Sequence, residues 1–164
     1  MNVGLSTPYE KLQPCLFDRL IDEDPQKNLE GRTARVISLS DYRAAVLRDM
    51  SWLLNSNCHM ESEGLSDFPW VEASVFNFGT PSFSGMGIAG MNVEEMEASV
   101  ARSIRNFEPR IVEDTLVVRA VKEKDATSPS TVVFEIRGEL WARPFPEKLF
   151  IKTKLDMETG AVVF

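Results

Sequence analysis

Phe107-Glu108-Pro109-Arg110 sets a carboxylate, a backbone-fixing ring and a guanidinium in consecutive positions between an amphipathic run and an alternating one. Proline disfavours the helical conformation in the residue before it, so a helix arriving from Ser99 ends near Phe107 and Glu108 turns extended. Arg110 offers a planar fork suited to carboxylates or backbone carbonyls, and Glu108 can accept from backbone N–H groups or from another Arg. The pair reads either as a local lock of a helix-to-strand corner or as part of a partner-binding site. Acid–base catalysis by carboxylates would take two of them, one with a raised pKa in an apolar pocket. No second carboxylate stands in a distinctive motif, and an adjacent Arg favours the charged carboxylate, the wrong state for a general acid. No catalytic residue is assigned.

The other chemistry-bearing residues are sparse. His59 is the single histidine, and Cys58-His59 has no second pair with which to hold a metal, so no metal site and no cofactor are expected. Cys15 and Cys58 stand far apart and read as reduced thiols. Arg48-Asp49 reads on its own as a helix-surface pair worth a few tenths of a kcal/mol. Trp52 points almost opposite to its helix's apolar face; it is either covered by the chain's own loops or an anchor for a partner.

These groups must be positioned by regular elements. Residues 1–9 read as a mobile tail of a single 1–164 domain. A first helix carries Leu12, Leu16, Leu20 and Phe17 on one side and stops around Asp22-Glu23-Asp24-Pro25; residues 22–35, with Gly31, read as a loop. The second helix starts with a Ser38/Asp41 capping spacing and aligns Leu39, Tyr42, Val46, Met50, Leu53 and Leu54. Residues 55–90 hold many turn formers, among them Gly79, Pro81, Gly85, Gly87 and Gly90, with Val75-Phe76-Asn77-Phe78 as an edge strand or a core plug. The third helix opens at Asn92 and aligns Val93, Met96, Val100, Ile104 and Phe107. Alternation then predicts three strands, through Leu116, Val118 and Ala120; through Val132, Phe134, Ile136 and Leu140; and through Leu149, Ile151, Thr153 and Leu155. A charged hairpin loop from Lys122 to Ser130 joins the first two, and Asp156 to Gly160 turns into a short last strand ending Val162-Val163-Phe164. The fold class is α+β, N-terminal helices packed on a C-terminal antiparallel sheet.

The corner also belongs to an ordered set of segments running from Leu16 to Pro144. They are Leu16-Phe17-Asp18-Arg19-Leu20 with Asp24-Pro25, then Val46-Leu47-Arg48-Asp49 before Trp52-Leu53-Leu54-Asn55. Next come Ser74-Val75-Phe76-Asn77-Phe78-Gly79 with Pro81 and Gly85, and Ile104 before Phe107-Glu108-Pro109-Arg110-Ile111. Phe134-Glu135-Ile136-Arg137-Gly138-Glu139-Leu140-Trp141 with Pro144 closes the set. The set resembles the family of the type VI secretion baseplate subunit TssE, relatives of phage tail baseplate wedge proteins that carry a lysozyme-related label. Two positions depart from its pattern: Ser56-Asn57 replaces a Thr-Arg pair, and Asn77-Phe78 replaces Asn-Tyr.

The resemblance implies a structural subunit that joins the baseplate wedge with TssF, TssG and TssK. It also implies a fold similar to the sheath's interlocking "handshake" domain, at the place where the TssB–TssC sheath begins. On this reading Glu108, Pro109, Arg110, Arg48, Asp49 and Trp52 form the partner-binding or corner motif. The strand of Leu149, Ile151, Thr153 and Leu155 is the sheath-docking strand, with an open sheet edge accepting a neighbour's segment while Lys148, Lys152 and Lys154 keep it soluble. The label's alternative is a peptidoglycan-cleaving, lysozyme-like hydrolase, which would also need export. Bulk properties agree with the structural reading. A net charge of −7, from 25 acidic and 18 basic residues, disfavours a nucleic-acid partner. No run of 18 apolar residues and no signal-like N-terminus is seen, so the protein is expected in the cytoplasm and not in the membrane, although the assembly docks at an inner-membrane complex.

Overall fold

A computed structural model describes residues 12–21, 26, 36–59, 65, 67–84, 92–121, 131–142 and 146–164. The expectations for the tail, the 22–35 loop apart from Gln26, Gly85 to Gly90, the 122–130 hairpin and Pro144 fall outside these residues. The described elements are α1 (Leu16–Leu20), α2 (Leu39–Leu54), α3 (Pro69–Glu72), α4 (Val93–Phe107), then β1 (Val117–Val121), β2 (Thr131–Leu140), β3 (Glu147–Asp156) and β4 (Val162–Val163). Helices come first and a four-stranded antiparallel meander follows, in the order β1-β2-β3-β4, so the α+β expectation holds.

Local chemistry sets the helix ends. Ser38 Oγ accepts from the Asp41 amide at 3.1 Å and opens α2, as the capping spacing predicts. Asn92 Oδ1 accepts from the Glu94 amide at 3.1 Å and opens α4. Glu108, at φ −122° and ψ 75°, closes α4 because Pro109 forbids another helical turn.

The core lies between the two long helices and one face of the sheet. Val46, Met50 and Leu53 of α2 and Met96, Val100 and Ile104 of α4 meet Ile136, Leu140, Leu149, Ile151 and Leu155. Burial of this kind stabilises by about 25 cal/mol per Å² of apolar surface, the dominant favourable contribution in such a fold. Long-range hydrogen bonds then fix the elements. Asn55, just past α2, brackets Val162 of β4: Nδ2 donates to the Val162 carbonyl and Oδ1 accepts the Val162 amide, both at 2.9 Å. Glu97 of α4 accepts the Ala120 amide of β1 at 2.7 Å.

Three expectations need correction. The first helix is shorter than its apolar stripe: α1 starts only at Leu16, Leu12 packs against the core from outside the helix, and Leu16 and Leu20 are 72% and 75% exposed. A helix of one turn cannot bury two opposite faces, and α1 is held instead through Phe17 and Asp18. Leu39 and Val93 are half-exposed because each is the first residue of its helix, beyond the reach of the sheet. Val75–Asn77 is a 3₁₀ turn, neither strand nor plug, with Val75 and Phe76 exposed. Turn chemistry overrode β-propensity there, since Ser74 Oγ accepts the Phe76 amide. Gly79 follows with φ 125°, and a Cβ on it would lie 2.3 Å from the Ser56 carbonyl oxygen, so only glycine fits.

Candidate partner-binding site

Where α4 turns into the sheet, the backbone of the corner becomes part of the sheet. The Arg110 carbonyl accepts from the Trp141 amide at 2.7 Å, and the Val112 amide donates to the Glu139 carbonyl at 2.8 Å. The corner is therefore anchored on both sides before any side chain acts. Glu108 points inward and is 3% exposed. Its Oε1 accepts the Arg110 amide at 3.1 Å and Arg110 Nε at 2.7 Å, while Oε2 accepts Arg110 Nη2. This is the two-pronged fork expected of an Arg–carboxylate pair.

The fork continues into a chain of ion pairs. Arg110 Nη2 donates to Asp49 Oδ2 at 2.6 Å, and Asp49 Oδ1 accepts Arg48 Nε at 2.9 Å and Nη2 at 2.7 Å. Arg48 Nη1 reaches Asp18 Oδ1 of α1 at 2.6 Å, and the Cys15 thiol donates to Asp18 Oδ2 at 3.0 Å. The Arg48 guanidinium also lies 4.9 Å from the Trp52 ring centre, and Phe17 meets Trp52 edge-on at 5.7 Å. Three carboxylates and two guanidiniums thus join α1, α2 and the α4–β1 corner.

Electrostatics follow from this arrangement. The Arg48 hydrogen bond, opposed by partial burial and aided by Cys15, holds the Asp18 carboxyl below its usual value. Burial acts to lower the pKa of Arg110, but hydrogen bonds and charge from Glu108, then Asp49, outweigh it and raise it further above the usual range. Arg48 is raised as well, chiefly by its bond to Asp18. Behind the corner, burial pushes the Tyr42 phenol up, and its hydroxyl donates to the Trp141 carbonyl at 3.1 Å.

Beside the network a depression of about 750 Å³ opens between α1, α2 and the 3₁₀ turn. Phe17, Trp52, Val75, Phe78, Phe107 and Pro109 line it, together with Asp49, Glu108 and Arg110 of the network. Trp52 is 49% exposed there, so the chain's own residues cover only part of it.

Six sequence-derived residues therefore come together at one place: Glu108, Pro109, Arg110, Arg48, Asp49 and Trp52. Arg48-Asp49 is more than a helix-surface pair, since each residue reaches a different element. Asp18 and Phe17 join this place as well, although the sequence pattern marks Phe17 only as part of an apolar stripe and Asp18 not at all. The four side chains of the supposed docking strand, Leu149, Ile151, Thr153 and Leu155, are buried under the helices, so a neighbour meets that strand at its backbone edge and at the intervening exposed side chains. Among the described residues no three His, Cys, Asp or Glu side chains gather as metal ligands, and no described helix is long and apolar enough to cross a membrane.

Comparison with family models matches residues 40–144 to the baseplate wedge protein gp25. The chain belongs to the gp25 family. The resemblance read from the sequence is thus met at the level of family. The match runs from the start of α2 past the end of β2, so the gp25-like part holds Arg48, Asp49, Glu108 and Arg110, while α1 with Asp18, and β3 and β4, lie outside it. Membership in the gp25 family makes the chain a structural part of a baseplate, which assembles with other baseplate subunits. No curated protein and no solved structure matches the chain.

Proposed function

We propose that this gp25-family chain is the TssE-like wedge subunit of a type VI secretion baseplate, a non-enzymatic cytoplasmic part that joins TssF, TssG and TssK and starts the TssB–TssC sheath. The observation that carries the reading is the ion-paired corner and the apolar depression beside it. A rigid scaffold of charge-assisted hydrogen bonds next to half-exposed aromatic rings is the composition of a docking site: anchors to fill, and a frame that loses little entropy on binding. Sheath initiation would use the outer backbone edge of β3, since strand addition needs main-chain groups and not the buried side chains. Hydrolysis of peptidoglycan is disfavoured, because both Glu108 oxygens already accept hydrogen bonds from Arg110.

The test is affinity purification of the tagged chain from its native cells. Recovery of TssF, TssG and TssK in stoichiometric amounts is the expected result. Recovery of the tagged chain without baseplate proteins, from cells that assemble contracted sheaths, would refute the reading.

A further inference from the structure

The sheet closes its boundaries unevenly. At β1 the outward amide of Ala120 is taken by Glu97, and at β4 both main-chain groups of Val162 are taken by Asn55. β4 in turn covers the outer side of β3 only at Lys154 and Leu155. Among the described residues no strand lies beyond β3 at Lys148 and Phe150. The Asp156 amide donates to Ala161 on this outer side, and antiparallel pairing alternates, so the amides and carbonyls of Lys148 and Phe150 also face outward.

The side chains along this edge form a pattern. Lys148, Phe150 and Lys152 stand on the solvent face, alternating with buried Leu149 and Ile151. On the flank that is already paired, β2 sets Glu139 opposite Lys148, Arg137 opposite Phe150 and Glu135 opposite Lys152. The Arg137 guanidinium lies 5.3 Å from the Phe150 ring centre and donates to Glu135 at 2.8 Å. One side of β3 thus displays the complement that its solvent face selects: an acid, a group that packs on the ring, and an acid.

Resting on the strand-addition reading above, we propose that the outer edge of β3 at Lys148 and Phe150 receives an extended segment of a partner protein that carries acidic side chains at alternate positions. The two acids meet Lys148 and Lys152 and flank a central residue packed on Phe150. The pattern is the same read from either end, so parallel and antiparallel docking both satisfy it. A second copy of this chain does not: antiparallel self-pairing about Phe150 sets Lys148 against Lys152, and like charges directly opposite are destabilising. The charge pattern therefore protects the isolated protein from edge-to-edge association while leaving the edge ready for an acidic strand. In a chain of net charge −7, this cationic stripe also directs an acidic segment to one face.

The test is an NMR titration of the full chain with three peptides. Thr-Glu-Thr-Val-Thr-Glu-Thr carries both acids on one face, Thr-Lys-Thr-Val-Thr-Lys-Thr reverses the charge, and Thr-Glu-Thr-Val-Glu-Thr-Thr moves one acid to the other face. The first should shift the amides of Lys148 and Phe150 and bind about tenfold more tightly than the second, with the third between them. Lys148→Glu with Lys152→Glu should invert the order. Phe150→Pro, which removes an outward N–H and spares the ladder to β2, should abolish the shifts with an unchanged circular dichroism spectrum. Equal shifts from all three peptides would overturn acidic selection and leave strand addition standing. No shift at this edge from any peptide would overturn the docking edge itself. The baseplate assignment fails separately, through the affinity purification described above.

Discussion

Arg110 Nη2 donates to Asp49 Oδ2 at 2.6 Å although the two residues stand 61 positions apart in the chain. The contact converts what looks like a local Glu-Pro-Arg corner into a tie between the second long helix, which ends in the sheet, and the first. It also decides which losses are costly. Arg110 serves a nearly buried carboxylate on one side and a partly exposed one on the other.

Arg110→Ala should therefore be among the more damaging single changes outside the apolar core. It leaves Glu108 buried without its partner, and breaking a buried pair this way costs about 3–5 kcal/mol. Arg110→Lys should recover only part, because a point charge cannot fork onto both oxygens. The combined replacement Glu108→Leu with Arg110→Met should lose less than Arg110→Ala alone. Urea unfolding of the three variants measures this directly.

The Asp18–Arg48 contact predicts a pH dependence with a definite sign. Asp18 has a folded pKa held below its ordinary 3.8, so the unfolded state binds its proton first as pH falls. Its contribution is fully present above that ordinary value and is lost as pH drops through the lower, folded one. Asp18 and Arg48 are both partly solvated, so the contribution is at most about 1 kcal/mol. Urea unfolding of the native protein and Asp18→Asn should show a gap at pH 7 that narrows by pH 3.

Asn55→Ala should release β4. Both hydrogen bonds to Val162 vanish together, at a cost of about 1–3 kcal/mol. Hydrogen exchange at the Val162 amide should accelerate well before that of Ile136 in the middle of β2. Exchange rates that rise uniformly across the sheet would show that Asn55 acts on global stability instead.

Purified protein should release no muropeptides from peptidoglycan at any pH between 4 and 8. Detectable release that disappears in Glu108→Gln would reverse the structural assignment.

Much of the scaffold was legible because its causes are local. Ser38, Asn92 and Pro109 mark helix ends by rules that depend on one or two neighbours, and the alternation from Val132 to Leu155 follows from the two-residue period of a strand. Residues whose partners are distant were not legible. Asp49 could be assigned Arg48 from sequence, but nothing in the chain says that Arg110 will arrive beside it, or that Asp18 will take the far end of Arg48. Asn55 likewise sits in a familiar-looking Leu-Leu-Asn run, yet its bracket on Val162 exists only once β4 has folded back. The first helix misled for a related reason: the spacing of Leu16 and Leu20 describes a stripe, but one turn of helix has no leverage to bury it. The alternation of Leu149 to Leu155 marks a strand with a buried face without telling an inner strand from an edge. Among the described residues β3 is paired on both sides at one end and on one side at the other.

The most direct measurement compares partner binding with folding for a residue that lines the depression but supports nothing beneath it. Val75 is 81% exposed and takes no part in the core or the ion pairs. Val75→Asp should leave the melting temperature within about 2 °C of the native protein, since surface changes away from such features stay within about 0.5 kcal/mol. If the depression is where baseplate subunits dock, the same variant should lose at least tenfold in the recovery of TssF and TssG by affinity purification. Undiminished recovery with an unchanged melting temperature would contradict the account.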